Sequence, residues 1–194
     1  MNATVATTIA STLLPARRTS GVALAQAVIE TPLGPLTALA GDAGLMGLWF
    51  DRQQHEPGAL RADVDPGQRW IAQARAELDE YFAGRLRVFR VALAPQGTPF
   101  QEAVWRRLRE IALGDTVSYG RIAREVGKPS ASRAVGAAVG HNPLSIIVPC
   151  HRVVGENGTL TGYAGGLPRK QFLLDLEGVV LPADTRRSPQ ASLL

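Results

Sequence analysis

The feature that most constrains this chain is a change of hydrophobic period at Ala94-Pro95-Gln96-Gly97. Before that linker, apolar residues come in stretches of strand length parted by turn residues. Residues 22–30, 36–40 and 45–50 read as three strands, joined by Thr31-Pro32-Leu33-Gly34-Pro35 and by Gly41-Asp42-Ala43-Gly44. Residues 51–64 are polar and read as loop. Asp65 then reads as a helix cap with Pro66 at the first helical position, and Trp70, Ile71, Ala74, Leu78, Tyr81 and Phe82 recur at helical spacing until Gly84. Residues 86–93 read as a returning strand. The pattern predicts a small α/β unit over 26–94, an antiparallel sheet plus a helix, with no cluster of chemically useful side chains.

After the linker the period becomes helical. Thr98-Pro99-Phe100-Gln101 has the form of a capping box, and Phe100, Val104, Leu108 and Ile111 follow on one stripe, stopped by Gly114. Ser118 can cap a short helix over 119–126, ended by Gly127. Beyond Pro129, Ser130 can cap a second over 131–139. The pair predicts a helix-turn-helix in a mostly α unit over 95–181. On the second helix Ala131, Ala134, Val135, Ala138 and Val139 share an apolar side. Arg133 points the other way, among Gly136, Ala137 and Gly140. So bare a face either packs on its own protein or approaches another surface closely, and the sequence leaves both open. Residues 145–148 read as a buried strand running into Pro149, residues 155–166 as a glycine-rich loop, and residues 169–176 as a last helix ended by Gly178.

The net charge of +4 is unevenly placed. Residues 1–94 hold nine basic and nine acidic side chains, whereas residues 95–181 hold ten and seven, which suits a polyanionic partner for the second unit. The single cysteine excludes an internal disulfide and fits a reducing compartment, here taken as the cytoplasm. No apolar run approaches the length of a membrane span. One cysteine and three scattered histidines offer no convincing metal site, and no metal or cofactor is expected. Residues 1–25 lack the order of a secretory signal and are expected to form a disordered extension, with an organellar transit peptide as the other reading. Residues 182–194 are expected to form a flexible tail.

A lone cysteine is usually a small hydrophobe in a core. Cys150, however, follows Pro149 at the end of an apolar segment, with His151 and Arg152 next. A base and cationic neighbours favour the nucleophilic thiolate. Neighbouring side chains on an extended segment point apart, so a water could carry the proton from Cys150 to His151. Glu177 is a candidate acceptor to orient the imidazole.

Pro149-Cys150-His151-Arg152-Val153 resembles the active-site signature of the O6-alkylguanine-DNA alkyltransferases. It follows Ser118-Tyr119, the stretch Ala131-Ser132-Arg133-Ala134-Val135-Gly136 and Asn142-Pro143. Gly162-Tyr163-Ala164-Gly165-Gly166-Leu167 and Glu177-Gly178 come after it. The likeness is close over residues 95–180 and looser from about 26, and it implies a ribonuclease-H-like fold for the first unit. It further implies single-turnover repair, in which Cys150 takes the alkyl group from O6-alkylguanine in double-stranded DNA, with O4-alkylthymine as a second candidate lesion. His151 deprotonates the cysteine and Glu177 orients the histidine. Tyr119 helps to rotate the nucleotide out and donates a proton to the leaving guanine. Arg133 fills the gap in the duplex, with Ala131, Ser132 and Gly136 beside it on the DNA. Asn142 braces the turn before the cysteine, and Val153, Tyr163 and Ala164 form the base pocket with no cofactor. A monomer is implied, with cooperativity on DNA left open. Ala164 stands where some relatives carry serine, and the cysteines of the animal zinc site are absent. The competing readings are a lesion-recognising helix-turn-helix protein without transfer activity and a Cys–His hydrolase.

Overall fold

The computed structural model describes residues 22–182. The extension expected over 1–25 therefore lies outside the described residues up to 21, and the expected tail lies outside them from 183. Three strands, β1 (Ala25–Ile29), β2 (Leu36–Ala40) and β3 (Leu45–Phe50), form an antiparallel meander at the places expected. A two-residue strand, β4 (Asp63–Val64), adds to β1 in parallel, so the sheet is mixed, in the order β3-β2-β1-β4. Alternate residues face inward. Ala25, Ala27, Ala38 and Ala40 are all buried, and their short side chains let helix α1 (Arg69–Phe82) lie close on the sheet. Ile71, Ala74, Leu78 and Tyr81 are its buried stripe. Truncating one of the large ones, Leu78→Ala, should cost about 2–5 kcal/mol.

Strand β4 lies in a stretch expected to be loop and makes the expected antiparallel sheet mixed, and two further expectations in this half fail for identifiable reasons. Helix α1 begins three residues after Pro66, because Asp65 N–H still bonds to Gln26 O at 3.0 Å and continues the strand pairing. Gln68 is the cap, and its Oε1 accepts from Trp70 N and Ile71 N at 2.8 and 3.2 Å. Residues 86–93 form no strand. The Glu77 carboxylate takes the N–H groups of Arg90 and Val91 at 2.9 and 3.1 Å, and only Leu93 bridges to Leu45.

The second half packs α2 (Pro99–Leu108), α3 (Tyr119–Glu125) and α4 (Ser132–Gly140) together. The capping box forms as the sequence predicts, with Thr98 Oγ1 accepting from Gln101 N and Gln101 Oε1 accepting from Thr98 N. Ser118 Oγ caps α3, whose end is closed by Gly127 (φ 71°) through Lys128 N→Ala123 O and Gly127 N→Arg124 O. That Schellman pair needs a left-handed residue, which glycine supplies without strain. Helix α4 starts one residue later than expected. Ala131 occupies its cap position with no side-chain bond, so Ser130 is not the cap. Val135, Ala138 and Val139 are buried as expected, whereas Ala134 is exposed. Trp105 Nε1 donates to Ala138 O at 2.8 Å and locks α4 to α2.

Two short strands, β5 (Val117–Ser118) and β6 (Val153–Val154), pair in parallel, and helix α5 (Leu167–Leu176) is the last helix among the described residues. The segment 145–148 is a turn and not a strand. Leu144 bridges to Leu48 of β3, and then Ile146 takes φ 71° while Ile147 N bonds to Ser145 O at 2.9 Å. A positive φ is strained for a β-branched residue, and the surrounding bonds hold it there.

Candidate active site

Asn142 organises the approach to the cysteine. Its Oδ1 accepts from Leu144 N at 3.1 Å, and its Nδ2 donates to Val148 O at 2.8 Å and to Cys150 Sγ at 3.1 Å. Cys150 begins a turn of 3-10 helix, Cys150–Arg152, where the sequence reading had an extended segment. The thiol is buried at 4% exposure. Burial pushes its pKa up. The Asn142 N–H, the Lys170 charge and the N–H groups of Cys150 and His151 pull the other way without cancelling it. Arg152, expected to favour the thiolate, is turned away to Glu177.

His151 is fully buried, and burial holds its pKa below the ordinary value despite the Glu177 carboxylate beside it. Its Nε2 lies 3.0 Å from Glu177 Oε1. Burial raises the Glu177 carboxyl, but the hydrogen bonds and charges of Arg152 and His151 outweigh it and hold the pKa at about 2. A carboxylate only accepts, so Nε2 carries the ring proton of the neutral imidazole. That leaves Nδ1 as the basic lone pair, and Nδ1 has no hydrogen-bond partner among the described residues. Gly178 (φ 77°) fixes the end of α5 at Glu177 through Val179 N→Leu174 O and Gly178 N→Asp175 O.

A cavity of about 490 Å³ opens over Cys150. Tyr119, Tyr163 and Ala164 line it, and so do Gly136, Ala137 and Gly140 of α4. The bare face of α4 therefore borders the space in front of the thiol. Internal packing does not require its glycines. A Cβ at Gly140 would meet nothing within 4 Å, and one at Gly136 would make only ordinary contact with Tyr119 at 3.8 Å. Arg133 stands exposed near the start of the same helix, with Ala131 and Ser132 partly exposed beside it. The Tyr119 hydroxyl donates to Gly162 O at 3.3 Å.

Residues 99–179 match the family described as 6-O-methylguanine DNA methyltransferase, DNA binding domain, and residues 24–95 match its ribonuclease-like domain. The chain belongs to the 6-O-methylguanine DNA methyltransferase family. A methylated-DNA–protein-cysteine methyltransferase of Mycobacterium tuberculosis is 49% identical over 156 residues, covering 80% of this chain and 93% of that one. One of Methanosarcina acetivorans is 47% identical over 152 residues, covering 78% and 97%. Among solved structures, the Mycobacterium tuberculosis OGT in complex with DNA superposes with a TM-score of 0.76 at 47% identity, covering 80% of this chain and 93% of that chain.

Within this methyltransferase-family fold, the residues singled out by sequence fall into four places, the first being the start of α4 with Ala131, Ser132 and Arg133. Cys150, Tyr119, Gly136, Tyr163 and Ala164 share the cavity. Asn142, His151 and Glu177 are buried and do not line it. Val153, expected in the base pocket, does not line the cavity. It is fully buried, its N–H bonds to Cys150 O, and its carbonyl accepts from Lys170 Nζ at 2.5 Å.

Three participants escaped the sequence reading. Lys170 is fully buried, and its ammonium also reaches Thr161 O at 2.6 Å and Gly162 O at 3.4 Å. Burial pushes its pKa down to about 8. Nothing local marks it, because it sits in a polar stretch of α5. His55 and His141 stack at 3.9 Å between ring centroids, and both line the cavity from opposite halves of the fold. No helix among the described residues is long and apolar enough to cross a membrane, and no group of three or more His, Cys, Asp or Glu among them could hold a metal.

Proposed function

We propose that this chain repairs alkylated double-stranded DNA by flipping O6-alkylguanine into the cavity and moving the alkyl group onto Cys150. The observation that carries this reading is the shared border of the cavity, with the thiol on one side and the bare face of α4 on the other. A guanine inside the stack cannot present O6 to a buried sulfur, so the base must leave the helix. A helix face carrying glycine and alanine can lie close in the minor groove, while Arg133 enters the duplex in place of the lost base.

In the reaction, His151 Nδ1 takes the thiol proton through a water. The thiolate attacks the alkyl carbon, a C–S bond forms, the C–O6 bond breaks and the electron pair leaves with guanine. Tyr119 donates a proton to the guanine, so that in net terms the thiol proton replaces the alkyl group. The resulting thioether has no leaving path, which makes the protein a single-use reagent that needs no cofactor. Asn142 holds the sulfur in place, and Tyr163 and Ala164 flank the base. O4-alkylthymine is a second substrate of the same chemistry, and a monomer acting in the cytoplasm is sufficient for it.

The test is intact-mass measurement after incubation with duplex DNA containing O6-methylguanine. Wild type should gain one methyl group per chain, and Cys150→Ala none while still binding DNA. Repeated turnover, or methyl loss from DNA with the alanine variant, would sink the reading.

A further inference from the structure

Oxygen Oε1 of Glu177 accepts from three donors. Arg152 Nη2 lies at 2.8 Å, His151 Nε2 at 3.0 Å and the Tyr81 hydroxyl at 2.8 Å. Oε2 accepts from Arg152 Nε at 2.8 Å. Two of the three donors follow Cys150 directly in sequence. Tyr81 comes from α1, in the ribonuclease-like half, 96 residues before Glu177.

The tyrosine is held for this contact. Its side chain is 2% exposed. Phe82 packs edge-on against the ring and Phe89 tilts over it, each with centroids 5.4 Å away. At the end of α1, Gly84 N→Tyr81 O and Arg85 N→Glu80 O close the helix and fix where residue 81 points. Phenylalanine would satisfy the same aromatic surroundings, so packing alone does not call for a hydroxyl. Burial and the neighbouring Glu177 charge raise the phenol's pKa, so Tyr81 keeps its proton and acts as a donor throughout the working range.

We propose that Tyr81 is a positioning residue of the transfer reaction, supplied by the ribonuclease-like half, whose hydroxyl bonds to the Glu177 oxygen that holds His151 and thereby sets how strongly His151 takes the thiol proton. This rests on His151 acting as the base. The groups that face the relay are Arg152 in the 3-10 turn, Lys170 in α5, Tyr163 in the loop before α5, Glu177 and Tyr81 itself. A donor on Oε1 draws charge away from the His151 N–H. Removing it leaves the carboxylate a stronger acceptor for His151, which then holds a proton to higher pH.

The experiment measures alkyl transfer from a free O6-alkylguanine base across pH, so that no DNA step enters. Two full-length variants are compared with wild type: Tyr81→Phe, and a protein with 3,5-difluorotyrosine placed at position 81 only. In Tyr81→Phe the midpoint of the acid limb should rise by about half a pH unit, about threefold in rate on the limb. The fluorinated phenol is a stronger donor and should lower the midpoint. Shifts of opposite sign bear the proposal out. Profiles that superimpose on wild type, or two shifts in the same direction, overturn it. If Tyr81→Phe does not fold, the difluorotyrosine protein decides alone, and an unmoved midpoint overturns the proposal. Failure of wild type to take up an alkyl group would instead sink the reading of the site.

Discussion

Asn142 directs its side-chain amide at the sulfur of Cys150 and at the carbonyl of Val148, at 3.1 and 2.8 Å. One residue thus shapes the turn before the nucleophile and supplies a donor that favours its charged form. In Asn142→Asp the donor becomes an acceptor facing both partners. Transfer to a free alkylated base should fall by about 10- to 100-fold, the equivalent of a lost bond to a charged group. Asn142→Ala leaves a buried carbonyl without its donor, at a cost of about 1–3 kcal/mol. Thermal melting should then drop by several degrees. Normal transfer in the aspartate variant would remove Asn142 from the chemistry.

Arg133→Ala should slow repair of duplex DNA by about 10- to 100-fold, since unstacking a base costs a few kcal/mol. It should slow reaction with a free base much less, and a lesion opposite a mismatch should fall between. Arg133→Lys should recover little, because stacking requires the planar guanidinium. Equal losses on all three substrates would mean that Arg133 supports the fold.

The Glu177 carboxyl titrates at about 2 in the fold and near about 4.3 in an unfolded chain. Between those values the unfolded state binds more protons. The contribution of Glu177 to stability is therefore complete above about pH 4.3 and is lost as pH falls through about 2. Glu177→Gln strands the buried Arg152 charge and should melt lower than wild type at neutral pH. The two melting curves should converge as pH falls from about 5 to 2. A gap that stays constant across that range would contradict the assignment.

Lys170 ties β6 to the loop that carries Tyr163. In Lys170→Met the carbonyls of Val153, Thr161 and Gly162 lose their shared donor. Transfer should fall equally on free base and duplex, unlike the Arg133 variant. Its folded pKa of about 8 lies below the unfolded value near about 10.4, so the unfolded state binds more protons between the two. Wild type should therefore gain stability relative to the methionine variant from pH 8 to 10. Melting curves of the two proteins over that interval decide it.

Much of this arrangement could be read in the sequence wherever the determinant is local. The capping box at Thr98 and Gln101, the Ser118 cap and the three alternating strands each depend on neighbours a few residues away. The misreadings lie where a side chain competes for the backbone, from a distance at Glu77 and from close by at Asn142. Glu77 takes the N–H groups that residues 86–93 would have needed for a strand, and Asn142 gathers 144–148 into a turn. The site divides in the same way. Cys150, His151 and Glu177 announce themselves by type and spacing. Tyr81 reads as one more apolar stripe residue, because its partner lies 96 residues on. Nothing local marks Lys170, because the three carbonyls it binds come from β6 and from the loop that carries Tyr163.

Three bonds join the two halves of the fold across long stretches of chain. Tyr81 reaches Glu177 across 96 residues, Ser145 reaches Gln53 across 92, and Arg169 reaches the Leu33 carbonyl across 136. Contacts of such separation cost more loop-closure entropy than local ones. A chain emerging from the ribosome presents Cys150 before Glu177 has been made, with a histidine beside it that has nothing to orient its ring. At that stage the cysteine is an ordinary thiol and a slow nucleophile. Proton transfer to His151 therefore has to wait until Glu177 has been made and has closed on the imidazole.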